Sequence, residues 1–255
     1  MLSISEAQLM AWVSPFLWPF LRVLAVFTSA PVLSSRAFPL RAKIALAFFI
    51  ALAAQASMPE RPIIDLNGPL ALGTAVQQVV IGLAIGFAVR LVFAAFELAG
   101  QVVGFQMGLG FAAFFDPASS AQSSAMGRFY ANLAALLFLA SNGHLLVIMA
   151  VVNSFVAFPV DQSVLTVLSS MHLQTLGSEL FSSAFWIALP VIAVLMFANL
   201  ALGIVSRVAP QMNIYAIGFP VTLAVGLIGV AATLPLLEQP FSSLMTFTLE
   251  QFSRR

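Results

Sequence analysis

Cysteine is absent from the 255 residues, which excludes disulfides, cysteine-ligated zinc and iron–sulfur chemistry. Charge is almost absent too. Asp, Glu, Lys and Arg make up 7% of the chain, against about 25% in soluble domains. A soluble surface cannot be covered with so few. Most helix faces must therefore meet lipid or other protein. The ten basic and nine acidic residues nearly cancel, and no basic run is long enough to grip nucleic acid. The first residues, MLSISEAQLM, carry Glu6 and no positive n-region, unlike a cleavable signal peptide.

Enzyme signatures are missing as well. His144, in Asn142-Gly143-His144, and His172, in a polar turn, are the two histidines. Without cysteine or clustered carboxylates they make no metal site. A hydrogen-bonded His144 at a helix break is the expectation. No Ser, His and acid set, P-loop or GxGxxG occurs, so neither catalysis nor a cofactor is expected.

Hydrophobic residues, by contrast, are 61% of the chain. They gather in stretches at about Ala11–Leu33, Ile44–Met58, Leu70–Ala99, Met126–Phe158, Leu180–Val205 and Ile214–Leu237. Pro, Gly, Ser and Asn clusters separate them. Ile44–Met58 is short for a bilayer that asks for about 20 helical residues. Leu70–Ala99 and Met126–Phe158 are too long for one plain span, and the second should break at Ser141-Asn142-Gly143. Pro15, Pro19, Pro190, Pro220 and Pro235 fall inside the runs and should kink them. An all-α integral membrane protein of kinked helices and hairpins follows.

The positive-inside rule puts the turns carrying Arg36, Arg41, Lys43, Arg128 and Arg207 in the cytoplasm. The same count leaves Arg254 and Arg255 outside. Some stretches therefore should not cross.

Three features stand out. Arg22 lies near the centre of an apolar run, where insertion costs about 2.5–3.5 kcal/mol, so it needs a partner or water. Arg90 and Glu97 share a helix face two turns apart, as a second expected site of buried charge. Structural contacts between helices outweigh an ion path for all three. Glycines form the next feature: Gly82 and Gly86 make one GxxxG, and Gly100, Gly104 and Gly108 a double one. Such spacing lets another backbone approach closely, within this chain or from a partner.

The third is GFQMGLGFAAFFDPASSAQSS, residues 104–124. Phe111, Phe114 and Phe115 keep helical spacing until Asp116-Pro117 stops the turn. Met107 adds a deformable side chain. The residues alone leave two readings level: a helix end facing lipid or core, or an apolar plug that seals a water-filled passage.

Over nearly its whole length the chain resembles the FliR/SctT family of type III export-gate subunits, nearer its flagellar branch. The resemblance rests on Trp18-Pro19, Arg22, Pro31, Arg36, Pro39, Arg41, Gln77-Gln78, Ile81-Gly82 and Gln106-Met107-Gly108-Leu109. It continues through Phe115-Asp116-Pro117, Phe138-Leu139, Asn142-Gly143-His144, Leu189-Pro190-Val191-Ile192 and Asn199-Leu200-Ala201-Leu202-Gly203. Ala209-Pro210-Gln211 and Ile217-Gly218-Phe219-Pro220 complete it.

The resemblance implies a FliP-like part, about residues 1–179, then a FliQ-like hairpin, about 180–255. It implies a helical cone built with FliP- and FliQ-like proteins in the flagellar basal body at the bacterial inner membrane. That cone would lie largely on the periplasmic side, with an FlhB-like switch protein around its cytoplasmic entrance and unfolded flagellar proteins as cargo. It also implies a plug loop from Gln106 to about Gln122, with Met107, Leu109, Phe111, Phe114, Phe115, Asp116 and Pro117 as plug residues. The competing expectation is a secondary transporter with a midplane site at Arg22, Arg90 and Glu97; a membrane-embedded hydrolase is more distant, for want of a nucleophile–base set.

Overall fold

The computed structural model describes residues 6–36, 38–58, 64, 68–111, 124–160, 166–167, 171, 173–211 and 214–253. Among them every regular element is helical: α1 (Glu6–Ser29), α2 (Leu40–Ser57), α3 (Pro69–Gln106), α4 (Ala125–Ala140), α5 (Gly143–Ala157), α6 (Leu173–Val208), α7 (Ile214–Thr233) and α8 (Glu238–Glu250). Short 3-10 turns cover Leu109–Phe111 and Leu234–Leu236. The protein is an all-α integral membrane protein. α3, α6 and α7 are long and apolar enough to cross a membrane, and α4 with α5 would make one further, broken span.

Local chemistry sets the helix ends. α3 begins on Pro69, whose missing N–H is unneeded in a first turn. Ser124 caps α4 by accepting the Gly127 N–H at 3.0 Å. Asn142, at φ 56°, takes the left-handed conformation that asparagine tolerates and separates α4 from α5. The expected break at Ser141–Gly143 is there. Pro15, Pro19, Pro190 and Pro220 lie inside continuous helices. Pro235 sits in the 3-10 turn that closes α7.

α8 is an element the hydropathy reading passed over. Its polar residues lower the average, yet Phe241, Leu244, Met245, Thr248 and Leu249 are buried, with Phe252 just beyond its end. Their spacing of three and four residues is that of one helix face.

The chain divides into two compact units. One comprises Met1–Leu91, Asn142–Leu176 and Met245–Arg255. Its core includes Trp18, Phe27, Ile81, Ile85, Val151, Phe155 and Met245. In it α1 packs on α2, with the Phe16 and Phe48 rings 4.8 Å apart. The other comprises Val92–Ser141 and Gly177–Leu244. Its core includes Phe96, Met107, Tyr130, Phe138, Val191, Leu195 and Phe241. Phe241 meets Phe96 edge-on at 5.5 Å and Phe93 at 6.3 Å, the favoured aromatic geometry.

Burial is uneven. The chain itself covers 56% of the apolar window of α3, but 22% of those of α6 and α7. Trp186 and Phe197 on α6 remain 71% and 74% exposed. These faces await lipid or protein.

Candidate functional site

The first cluster surrounds Arg22 and lies wholly within the first unit. Its side chain is fully buried. Nε donates to Gln78 Oε1 at 2.8 Å, one terminal nitrogen to Ser154 Oγ at 2.9 Å, and the other to the Phe158 carbonyl at 2.9 Å. The Phe155 ring lies 3.8 Å from the guanidinium carbon, a cation–π contact. Gln78 in turn donates to Gln77 Oε1 at 3.0 Å, and Gln77 donates to the Pro159 carbonyl at 2.9 Å.

None of these acceptors is a carboxylate. The charge is met instead by amide and hydroxyl dipoles, an aromatic face and the C-terminal end of α5. Ser154 and Phe155 lie in the last turn of α5, and Phe158 follows it directly. A helix C-terminus carries about half a negative charge and leaves carbonyls without intrahelical donors. Arg22 supplies what that end lacks. The sequence flagged the arginine, but not its acceptors. Two adjacent glutamines inside an apolar helix were the available signal.

The glycine rows lie against the chain's own helices. A Cβ on Gly82 would collide with the Arg22 carbonyl oxygen and come within 2.7 Å of Ala25 Cβ. One on Gly86 would collide with Ser29 Oγ. α3 and α1 therefore approach closely there. In the second unit, a Cβ on Gly100 would stand 2.5 Å from the Met126 carbonyl oxygen, and one on Gly104 3.2 Å from Met126 Cβ. Gly108 differs from its expected place in this row. α3 ends at Gln106, and Gly108 follows at φ 84°, closing the helix with its N–H on the Phe105 carbonyl at 3.0 Å. Left-handed backbone is what glycine takes without strain.

Met107, just before the phenylalanine-rich stretch, is packed into the second unit. It is fully buried. Its side chain presses on Gly226 of α7, where any Cβ would collide with Met107 Cγ and come within 2.8 Å of Sδ. The Thr222 hydroxyl reaches the Met107 carbonyl at 3.3 Å and the Phe219 carbonyl at 3.1 Å. Leu109 follows in the 3-10 turn that ends at Phe111. Phe114, Phe115, Asp116 and Pro117 lie outside the described residues.

The other two expected buried charges are not enclosed as Arg22 is. Arg90 is exposed, without a hydrogen bond or ion pair among the described residues. Glu97 is half-buried and accepts from Gln101 Nε2 at 3.4 Å, a long contact. Helical spacing sets the two on one stripe of α3, but a stripe does not fix burial. The Nδ1 of His144 is buried and has no hydrogen-bond partner among the described residues. No group of three His, Cys, Asp or Glu that could hold a metal occurs among the described residues.

The bacterial export proteins, family 1, match residues 13–248. The chain belongs to this family. Its relatives include the flagellar biosynthetic protein FliR of Escherichia coli K12, 42% identical over 241 residues, or 94% of this chain and 92% of that protein. The FliR of Pectobacterium carotovorum is 39% identical over 244 residues, 95% of this chain and 92% of its own. That of Bacillus subtilis is 30% identical over 238 residues, covering 92% of each. Similarity thus covers most of the chain, and the motif resemblance to the FliR/SctT family agrees with it.

Proposed function

We propose that the chain is a structural and gating subunit of the flagellar protein export channel. In this reading it builds a helical cone with FliP- and FliQ-like proteins. Its residues 1–179 form a FliP-like part and 180–255 a FliQ-like hairpin. The cone stands in the bacterial inner membrane, largely on its periplasmic side, with an FlhB-like protein at the cytoplasmic entrance and unfolded flagellar proteins passing through. The loop after α3 is its plug. Met107, Leu109, Phe111, Phe114, Phe115, Asp116 and Pro117 seal the passage against ions and small solutes until cargo arrives, as an apolar constriction gates by excluding water.

Family membership and relatives named for flagellar biosynthesis support the export setting. The observation that supports the sealing role is the burial of Met107 just before the phenylalanine-rich stretch, with Gly108 turning the chain immediately after it. A rooted apolar loop can hold a constriction, whereas an untethered one would be pushed aside. The uncovered faces of α6 and α7 offer the surface that partner helices need. The role proposed is mechanical rather than catalytic.

The test is copurification. A tagged chain drawn from membranes in mild detergent should bring FliP- and FliQ-like proteins with it in fixed ratio. Recovery of the chain alone from cells that make those proteins would refute the assembly.

A further inference from the structure

Met107, Thr222 and Gly226 form a contact that the sealing role alone does not require. Thioether, hydroxyl and missing side chain come together at one point in the second unit. Met107 is fully buried although it lies beyond the last residue of α3 and next to a turn. Gly226 is packed so closely that a methyl group there would displace Met107. A Cβ on Gly229, one turn further along α7, would stand 3.5 Å from Val191 Cγ1, an ordinary contact, so the tight approach is local. The Thr222 hydroxyl, one turn before Gly226, reaches the Met107 carbonyl, a group that the end of α3 leaves without a helical donor.

We infer that Met107 is a latch residue that holds the end of α3 on α7 and keeps it there throughout export. The inference rests on the sealing role proposed above. Beyond its place in the seal, Met107 is a positioning residue: it fixes the point from which the following segment leaves. A latch suits methionine, whose unbranched thioether fills an irregular slot against backbone. It equally suits a glycine opposite, since no other residue leaves that slot open.

The chain contains no cysteine, so a pair can be introduced cleanly. In Met107→Cys/Gly226→Cys the two β-carbons come within disulfide reach, because a Cβ on Gly226 already meets the Met107 side chain. The double variant is placed in otherwise intact export complexes, and secretion of a flagellar substrate is compared with and without oxidation. The disulfide should form, and oxidised complexes should secrete within about twofold of reduced ones, because locking an already occupied state shifts no equilibrium. Oxidation that stops secretion, reversed by reductant, would show that α3 and α7 must part, and would overturn the latch. So would failure of the pair to cross-link in complexes that assemble.

A second variant reads the resting state. Gly226→Leu should expel Met107 and raise ion leak by about tenfold, the scale of an overpacked contact. Where that variant reduces the amount of complex, Thr222→Val and Met107→Ala are read instead. Leakage from a Leu109–Ala118 deletion, without leakage from these variants, would overturn the latch and leave the sealing role standing. An intact seal in the deletion would overturn the sealing role, while the cross-link would still report the docking.

Discussion

The Arg22 guanidinium donates to the carbonyl oxygen of Phe158, 136 residues further along, at 2.9 Å. One side chain thereby ties α1 to the end of α5, and through Gln78 to α3. A buried cation without a carboxylate is costly in isolation; here three neutral acceptors and an aromatic face meet it.

Arg22→Met should therefore destabilise the chain by about 3 kcal/mol, since Gln78, Ser154 and the Phe158 carbonyl lose a donor together. Arg22→Lys should recover only part of this, because a point charge cannot reproduce a planar fork. Thermal unfolding of the purified chain in detergent measures both. A methionine variant as stable as the parent would contradict the cluster's role.

Gly82→Leu and Gly86→Leu should each destabilise by about 1–3 kcal/mol through overpacking against α1. A Cβ on Gly73 or Gly203 would meet no neighbouring element within 4 Å among the described residues. Alanine at these two should be neutral or stabilise the isolated chain by about 0.5–1 kcal/mol, the helical cost of glycine. Equal losses at all four sites in the same unfolding assay would contradict the assignment of close helix approach to Gly82 and Gly86.

Phe241→Ala should leave a cavity beside Phe93 and Phe96 and cost about 3–5 kcal/mol. Phe247, exposed on α8, serves as the comparison. Its alanine variant should change the stability of the isolated chain by about 0.5 kcal/mol or less.

These sites show which parts of the molecule could be read beforehand. Apolar runs marked the positions of α1 to α7, and Asn142-Gly143 marked a break, because hydropathy and turn chemistry are local. α8 escaped because its mean hydropathy is low although its inward face is apolar. Arg22 was conspicuous as a charge in an apolar run, but its acceptors come from positions 56 to 136 residues away, which no local pattern connects. Glycine spacing announced close packing without saying against what; the answer is α1 for Gly82 and Gly86, and α4 for Gly100 and Gly104. Gly108 shared the spacing but not the role, since periodicity does not reveal where a helix ends. Thr222 and Gly226 gave no signal before Met107 was seen against them.

The segment after α3 is proposed to seal a passage. Ion conductance of membranes holding assembled complexes with Leu109–Ala118 deleted tests it most directly. Normal amounts of complex and a resting ion leak that the parent lacks are expected. Complexes that assemble normally and stay as tight as the parent would contradict it.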